Sequence, residues 1–200
     1  MLIIGENINA SSKRVAEAIK THNNSFLQDL ASAQVSADYL DVNVGGGKGS
    51  TKQEIEDMKW LIDIVYEATN KPVVVDSANP EVIEAGLKQG KARVAMVNSV
   101  NAEKARLEAI GPLVAEHRVD VIALAMDDSG IPSRVEERIG ACDRILEGLS
   151  RYGIPAEKIY FDPLVLPIGV DTTQGQITLR TLEQIKARYP EAKTVVGLSN

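Results

Sequence analysis

Six polar residues in this 200-residue chain each follow a short apolar run. They are Glu6 after "IIG", Asn43 within "YLDVNV", Asp76 after "VVV", Asn98 after "VAMV", Asp162 after "IYF" and Asn200 closing "VVGLSN". A carboxylate at the end of a buried strand is costly unless something binds to it. Helix capping does not account for these residues. Asn79 and Pro80 already start the helix after Asp76, Asn101 is better placed than Asn98, and Asp162 runs into Pro163 and a loop. Two carboxylates and an amide meeting at one mouth suit a ligand rich in N–H donors with a few acceptors. A carboxylate takes two parallel N–H bonds, and an Asn amide both donates and accepts. A pyrimidinone ring bearing an amino group has that character, and each bond to a charged acceptor contributes roughly 1.5–3 kcal/mol.

Such residues converge only if their strands run the same way. The sequence predicts strands at Leu2–Glu6, Tyr39–Val44, Pro72–Asp76, Val94–Asn98, Val121–Met126, Ile159–Asp162 and Thr194–Leu198. Helical patterns lie between them, the last being "TLEQIKARY" at 181–189. Capping boxes are expected at Thr51 with Glu54 and at Ser133 with Glu136, and Gly90 and Gly153 mark helix ends. Strict β–α alternation with apolar strands means a parallel sheet covered by helices. An open doubly wound sheet gathers its site at one switch point, whereas a barrel places polar groups at the C-terminal ends of many strands. Nearly every strand here ends in one, and strand parity aims Asp41 with Asn43, Asp76 with Val74 and Asn98 with Met96. The expected fold is therefore α/β, a (β/α)8 TIM barrel forming one domain over residues 1–200. Only seven strands are found, so the last βα unit is expected to be missing, with roughly 50 or more residues belonging to a longer chain.

Composition narrows the partners. A net charge of −6 argues against nucleic acid or an anionic membrane as the main partner. No apolar run approaches a membrane span, and "MLIIGENIN" has no basic segment of the kind that opens a signal peptide. The one cysteine, Cys142, has no partner for an internal disulfide, so a cytoplasmic setting is expected. Cys142 falls in a helical apolar pattern and reads as packing, as do Met58 and Trp60. No cluster has metal-ligand spacing. "NVGGGKGSTKQE" fails both phosphate-loop spacings and reads as a loop at the barrel mouth. Asp127 and Asp128 precede "SGIP" and are either turn or site residues.

The segments "IIGENIN", "LDVNVGGG", "VVVDSANPEVIEAGLK", "VNSVNAEK", "SGIP", "YFDPLVLP" and "VVGLSN" resemble, in that order, the pterin-binding methyltransferases. The similarity is to methyltetrahydrofolate:corrinoid methyltransferases, relatives of the folate domain of cobalamin-dependent methionine synthase. The resemblance implies that Asp76, Asn98 and Asp162 hold the pterin ring of 5-methyltetrahydrofolate, with Glu6 and Asn43 as further substrate contacts. It implies that Asn200 is a mobile amide reaching the nitrogen that carries the methyl group. It also implies a separate corrinoid (cobalamin) protein as partner, tetrahydrofolate as substrate or product, no directly bound metal and a homodimer.

A histidine would be the ordinary acid for protonating that leaving nitrogen. His22 and His117 lie at helix ends, the wrong end of a barrel. Activation is then expected from Asn200 with Asp76 and Asp162, which would stabilise positive charge developing on the nitrogen. Two other readings compete. A dihydropteroate synthase-like enzyme would share the barrel and the ring recognition. Its usual Thr-Pro-Asp-Ser first loop and late Ser-Arg-Lys are replaced here by "NINASSKR" and "GLSN". A non-catalytic pterin- or corrinoid-binding module would be favoured if Asn200 were absent.

Overall fold

The computed structural model describes residues 1–45, 50–90, 93–167, 169 and 171–197. Its contacts divide the chain into two compact units, Met1–Asn98 and Ser99–Asn200. The first contains β1 (Ile4–Asn9), α1 (Lys13–Lys20), α2 (Asn24–Ser32), β2 (Tyr39–Asn43), α3 (Thr51–Thr69), β3 (Val73–Asp76), α4 (Pro80–Gly90) and β4 (Val94–Val100). β1 pairs with β2, β2 with β3 and β3 with β4, all in parallel. A doubly wound sheet reverses its strand order after the first strands, and here the order runs 1-2-3-4 without reversal. Val73, Val74 and Val75 are fully buried, so β3 is covered on both faces. Met58, Leu61, Ile62 and Val65 of α3 and Val82, Ile83 and Leu87 of α4 supply part of that cover. A Cβ on Gly86 would lie 3.1 Å from Val75, so α4 rides close on β3.

β1 differs from expectation. It starts at Ile4 and continues through Glu6 to Asn9, with the register shifting between Gly5 and Ile8. That irregularity is a bulge, which leaves backbone groups needing other partners. Gln34 provides one, its Oε1 accepting the Asn7 N–H at 3.0 Å. A Cβ on Gly5 would lie 2.7 Å from that same oxygen, so the close approach requires glycine. A polar Glu-Asn pair looks like the end of a strand, and the bulge lets the strand pass through it.

The second unit contains α5 (Lys104–His117), β5 (Asp120–Leu124), α6 (Val135–Ser150), β6 (Ile159–Asp162), α7 (Gln174–Arg188) and β7 (Lys193–Thr194). β5, β6 and β7 pair consecutively in parallel. α7 begins seven residues before the expected Thr181, because threonines fill its buried stripe. Thr178, Thr181 and Ile185 face inward, and the threonine hydroxyls are satisfied by Leu164 O and Ile177 O. The β7 ladder is shorter than expected, although Val195 N still donates to Phe161 O at 3.0 Å. Its expected end, Leu198, lies outside the described residues.

Two caps also shift. Ser50, not Thr51, caps α3 by accepting from Gln53 N, and α6 starts at Val135 with Arg134 as an N-cap whose side chain bonds Glu137 and not the helix backbone. Asn79 behaves as expected, accepting from Glu81 N at 3.0 Å with Pro80 opening α4. Consecutive parallel strands alternating with helices in both units place the chain in the (β/α)8 TIM-barrel class. Among the described residues, no helix is long and apolar enough to cross a membrane.

Candidate pterin site at the strand ends

The register of the first unit builds a row of polar residues. Asn43 lies opposite Asp76, and Asp76 lies opposite Asn98, each at or near the C-terminal end of its strand. One layer below, Asp41 lies opposite Val74, and Val74 opposite Met96. Side chains two apart share a face, so the row and the layer below it point the same way. Asn98 Nδ2 donates to Asp41 Oδ2 at 3.0 Å. These two residues sit on β4 and β2 with β3 between them. They meet only because both project from the concave side of a curled sheet.

The amides are held by protein. Asn43 Nδ2 donates to Asp76 Oδ2 at 2.9 Å, and Asn43 Oδ1 accepts from Gly45 N at 2.9 Å. These contacts make Asn43 an orienting partner of the Asp76 carboxylate. Asn98, with Nδ2 tied to Asp41, turns its oxygen the other way. Asn43, Asp76 and Asn98 are half-buried, whereas Asp41 beneath them is 3% exposed.

Burial makes Asp41 the unusual member. Loss of solvent, then the negative charge of Asp76 and a smaller push from Glu6, together lift its pKa to about 8 against the lowering bond from Asn98. At neutral pH Asp41 is therefore mainly the neutral acid, adding a dipole to the cluster and no full charge. Glu6 belongs to this cluster through its field, although its side chain is exposed on the bulged β1. Asp41 was not among the expected contacts. Its signal was two polar residues at i and i+2, Asp41 and Asn43, in an otherwise buried strand.

In the second unit, Asp162 ends β6 and is half-buried. Its Oδ1 accepts the Leu164 N–H at 2.8 Å. Burial raises its pKa, while the Leu164 bond and the positive charge of Arg138 lower it. Arg138 is fully buried on α6, between Val135 and Cys142 on the apolar stripe. An arginine in that stripe was a signal that went unread.

The expected glycine loop at 46–49 and Asn200 lie outside the described residues. Asp127 is a turn residue, accepting from Ser129 N and pairing with Arg144. His22 pairs with Asp57 at 3.3 Å and packs edge-on against Trp60, and His117 ends α5. Both histidines have helix-end positions. Among the described residues, no group of three His, Cys, Asp or Glu side chains is arranged to hold a metal.

Known proteins resemble this chain in sequence and in fold. The family described as "Pterin binding enzyme" matches residues 5–200. The methylcorrinoid:tetrahydrofolate methyltransferase of Eubacterium limosum is 30% identical over 204 residues, covering 100% of this chain and 74% of the relative. The methionine synthase of Mycobacterium tuberculosis is 30% identical over 215 residues, covering 100% of this chain but 18% of that protein. Among solved structures, the dihydropteroate synthase of Xanthomonas albilineans in complex with 7,8-dihydropteroate superposes with a TM-score of 0.66 at 22% identity, covering 99% of this chain and 72% of that one. The Yersinia pestis enzyme with a pterine-sulfa conjugate superposes with a TM-score of 0.69 at 15% identity, covering 99% and 71%. The solved structures establish the barrel fold, and the family match reaches the strands that carry the polar row. This chain belongs to the pterin-binding enzyme family.

Proposed function

We propose that this protein moves a methyl group between 5-methyltetrahydrofolate and the cobalt of a corrinoid held by a separate protein. The observation that carries the reading is the polar row on β2–β4, in which Asn43 orients Asp76 and Asp41 orients Asn98. That row offers a carboxylate and an amide to a flat heterocycle with adjacent N–H groups. The full-length match to the Eubacterium limosum methyltransferase supports methyl transfer over dihydropteroate synthesis. So does the absence from "NINASSKR" and "GLSN" of the dihydropteroate synthase loop residues.

In this reading Asp76 accepts paired N–H bonds from the pterin ring, Asn98 accepts through its oxygen, and Asp162 supplies the second carboxylate. Asn200 hydrogen-bonds the nitrogen that carries the methyl group and, with Asp76 and Asp162, stabilises positive charge developing there. Holding the ring in one orientation fixes where that nitrogen lies relative to the corrinoid face. The corrinoid, as the second substrate, supplies the nucleophile or, in the reverse direction, the methyl group. Glu6 adds negative field on the β1 side of the row. A homodimer and a cytoplasmic setting complete the proposal by resemblance.

Mixing the protein with 5-methyltetrahydrofolate and Co(I) corrinoid and following the cobalt absorbance tests it. An enzyme-dependent change is expected, and none at concentrations where folate binds would overturn the activity. Asp76→Ala is expected to lose folate binding. Asn200→Ala is expected to bind within several-fold of wild type while transferring methyl about 100-fold more slowly, the size seen when one stabilising donor is removed. If the two variants behave alike, the division of roles is wrong.

A further inference from the structure

Arg138 is the largest fully buried side chain, and every group it bonds is neutral. Nε donates to Pro132 O at 2.9 Å, Nη1 to Pro163 O at 2.7 Å and Leu164 O at 2.8 Å, and Nη2 to Gln174 Oε1 at 3.3 Å. One guanidinium thus joins the "SGIP" loop after β5, the segment after Asp162 and the start of α7. A buried cation is expensive without an anion nearby. The anion whose field acts on Arg138 is Asp162, and Arg138 is in turn the charged group acting on Asp162 among the described residues. Other charges on neighbouring segments have their own partners: Asp171 accepts from Thr173 and Gln174, and Glu137 pairs with Arg134.

The backbone between them is forced. Leu164 has φ +65, a left-handed conformation that costs a side chain such as leucine roughly 1–2 kcal/mol. That turn aims the Leu164 N–H at Asp162 Oδ1 and the Leu164 carbonyl at Arg138 and Thr178. Removing the guanidinium would strand the Pro163 carbonyl, leave the Leu164 carbonyl to Thr178 alone and free the turn that fixes the carboxylate.

We propose that Arg138 is the positioning residue for Asp162: its guanidinium locks the Pro163–Leu164 turn that aims the carboxylate. Its positive charge also favours the anionic form of that carboxylate. The inference rests on the reading of Asp162 as a ring-holding residue. It extends that reading to a residue that touches no substrate.

The test separates the two ideas. Asp162→Asn comes first, assayed for 5-methyltetrahydrofolate binding by titration calorimetry. If it binds as wild type does, the ring-holding role of Asp162 fails. Arg138 is then examined without ligand, by following the Asp162 carboxyl ¹³C signal against pH in the full chain. In Arg138→Met the midpoint of that titration is expected to rise relative to wild type. Folate binding should weaken, and part of that loss should recover as pH rises past the new midpoint. The Asp162→Asn, Arg138→Met double variant should show no such pH-dependent recovery. Arg138→Lys keeps the charge but lacks the planar fork. It is expected to leave the midpoint near wild type while weakening binding at every pH, and it serves if Arg138→Met does not fold. An unmoved carboxyl midpoint in Arg138→Met, or a midpoint displaced as far in Arg138→Lys as in Arg138→Met, would overturn the proposal.

Discussion

Asp41→Asn isolates the buried acid beneath the polar row. The folded protein holds Asp41 as a neutral acid up to about pH 8, whereas the unfolded chain releases that proton near the ordinary value of 3.8. Between those limits the native state binds about one proton more than the unfolded state. Stability attributable to Asp41 is therefore fully present below the unfolded pKa and declines as pH rises through the folded one, with a slope near 1.4 kcal/mol per pH unit. Four units of separation put the whole effect at roughly 5–6 kcal/mol, an upper figure because Asp41 and Asp76 share their titration. Asparagine keeps an oxygen to accept the Asn98 amide and a donor in place of the acid O–H, but it cannot ionise. Urea unfolding, followed by the fluorescence of the single Trp60, should be measured from pH 5 to pH 9 for both proteins. The variant is expected to gain on wild type by about 1–1.4 kcal/mol for each unit between pH 5 and pH 7, levelling off above pH 9. Taking the difference between the two proteins cancels the titrating groups that do not interact with Asp41. A constant offset across that range would show that Asp41 ionises alike in both states, and the buried-acid reasoning would fall.

Three further outcomes follow from the geometry. Gly5→Ala would push a methyl group against Gln34 Oε1 and Leu40, so chemical unfolding should show a loss of about 1–3 kcal/mol, and an unchanged midpoint would mean that Gln34 moves freely. Gln34→Ala removes the acceptor of the Asn7 N–H and should cost about 1–3 kcal/mol, with faster amide exchange at Asn7 as its signature. Cys142 is fully buried, and burial pushes its thiol up to about 12. It should resist thiol reagents in the native protein and react only on the timescale of unfolding, so rapid native labelling would contradict its role as packing.

The fold was legible wherever one physical signal dominated. Val73–Val75 followed by Asp76 announced a strand buried on both faces with its C-terminus at a mouth, and the structure has that strand at Val73–Asp76. Boundaries failed where two signals competed. Glu6 and Asn7 imply a strand end by polarity, yet Gln34 satisfies the bulged backbone and the strand continues. The threonines of α7 imply a loop by propensity, yet their hydroxyls are bonded and their methyl groups pack. Gln34 for Asn7 and Leu164 for Thr178 are partners distant in the chain, which local patterns do not contain, whereas Thr181 bonds within its own helix.

The same distinction runs through the site. Asp76 and Asn98 were visible because each follows an apolar run at or near the end of its strand, and such positions need no knowledge of neighbours. Asp41 and Arg138 stand inside apolar patterns, where a charged residue is normally evidence against burial. What makes each tolerable is a long-range contact: the Asn98 amide 57 positions away for Asp41, and the Pro163 and Leu164 carbonyls 25 and 26 positions away for Arg138. Burial of such groups costs several kcal/mol when they are left unmatched, so each has to be matched by the polar residue it serves. A charge inside an otherwise regular apolar stripe is thus a directional clue. Here both such residues lead to a carboxylate or amide at or near a strand end on another element.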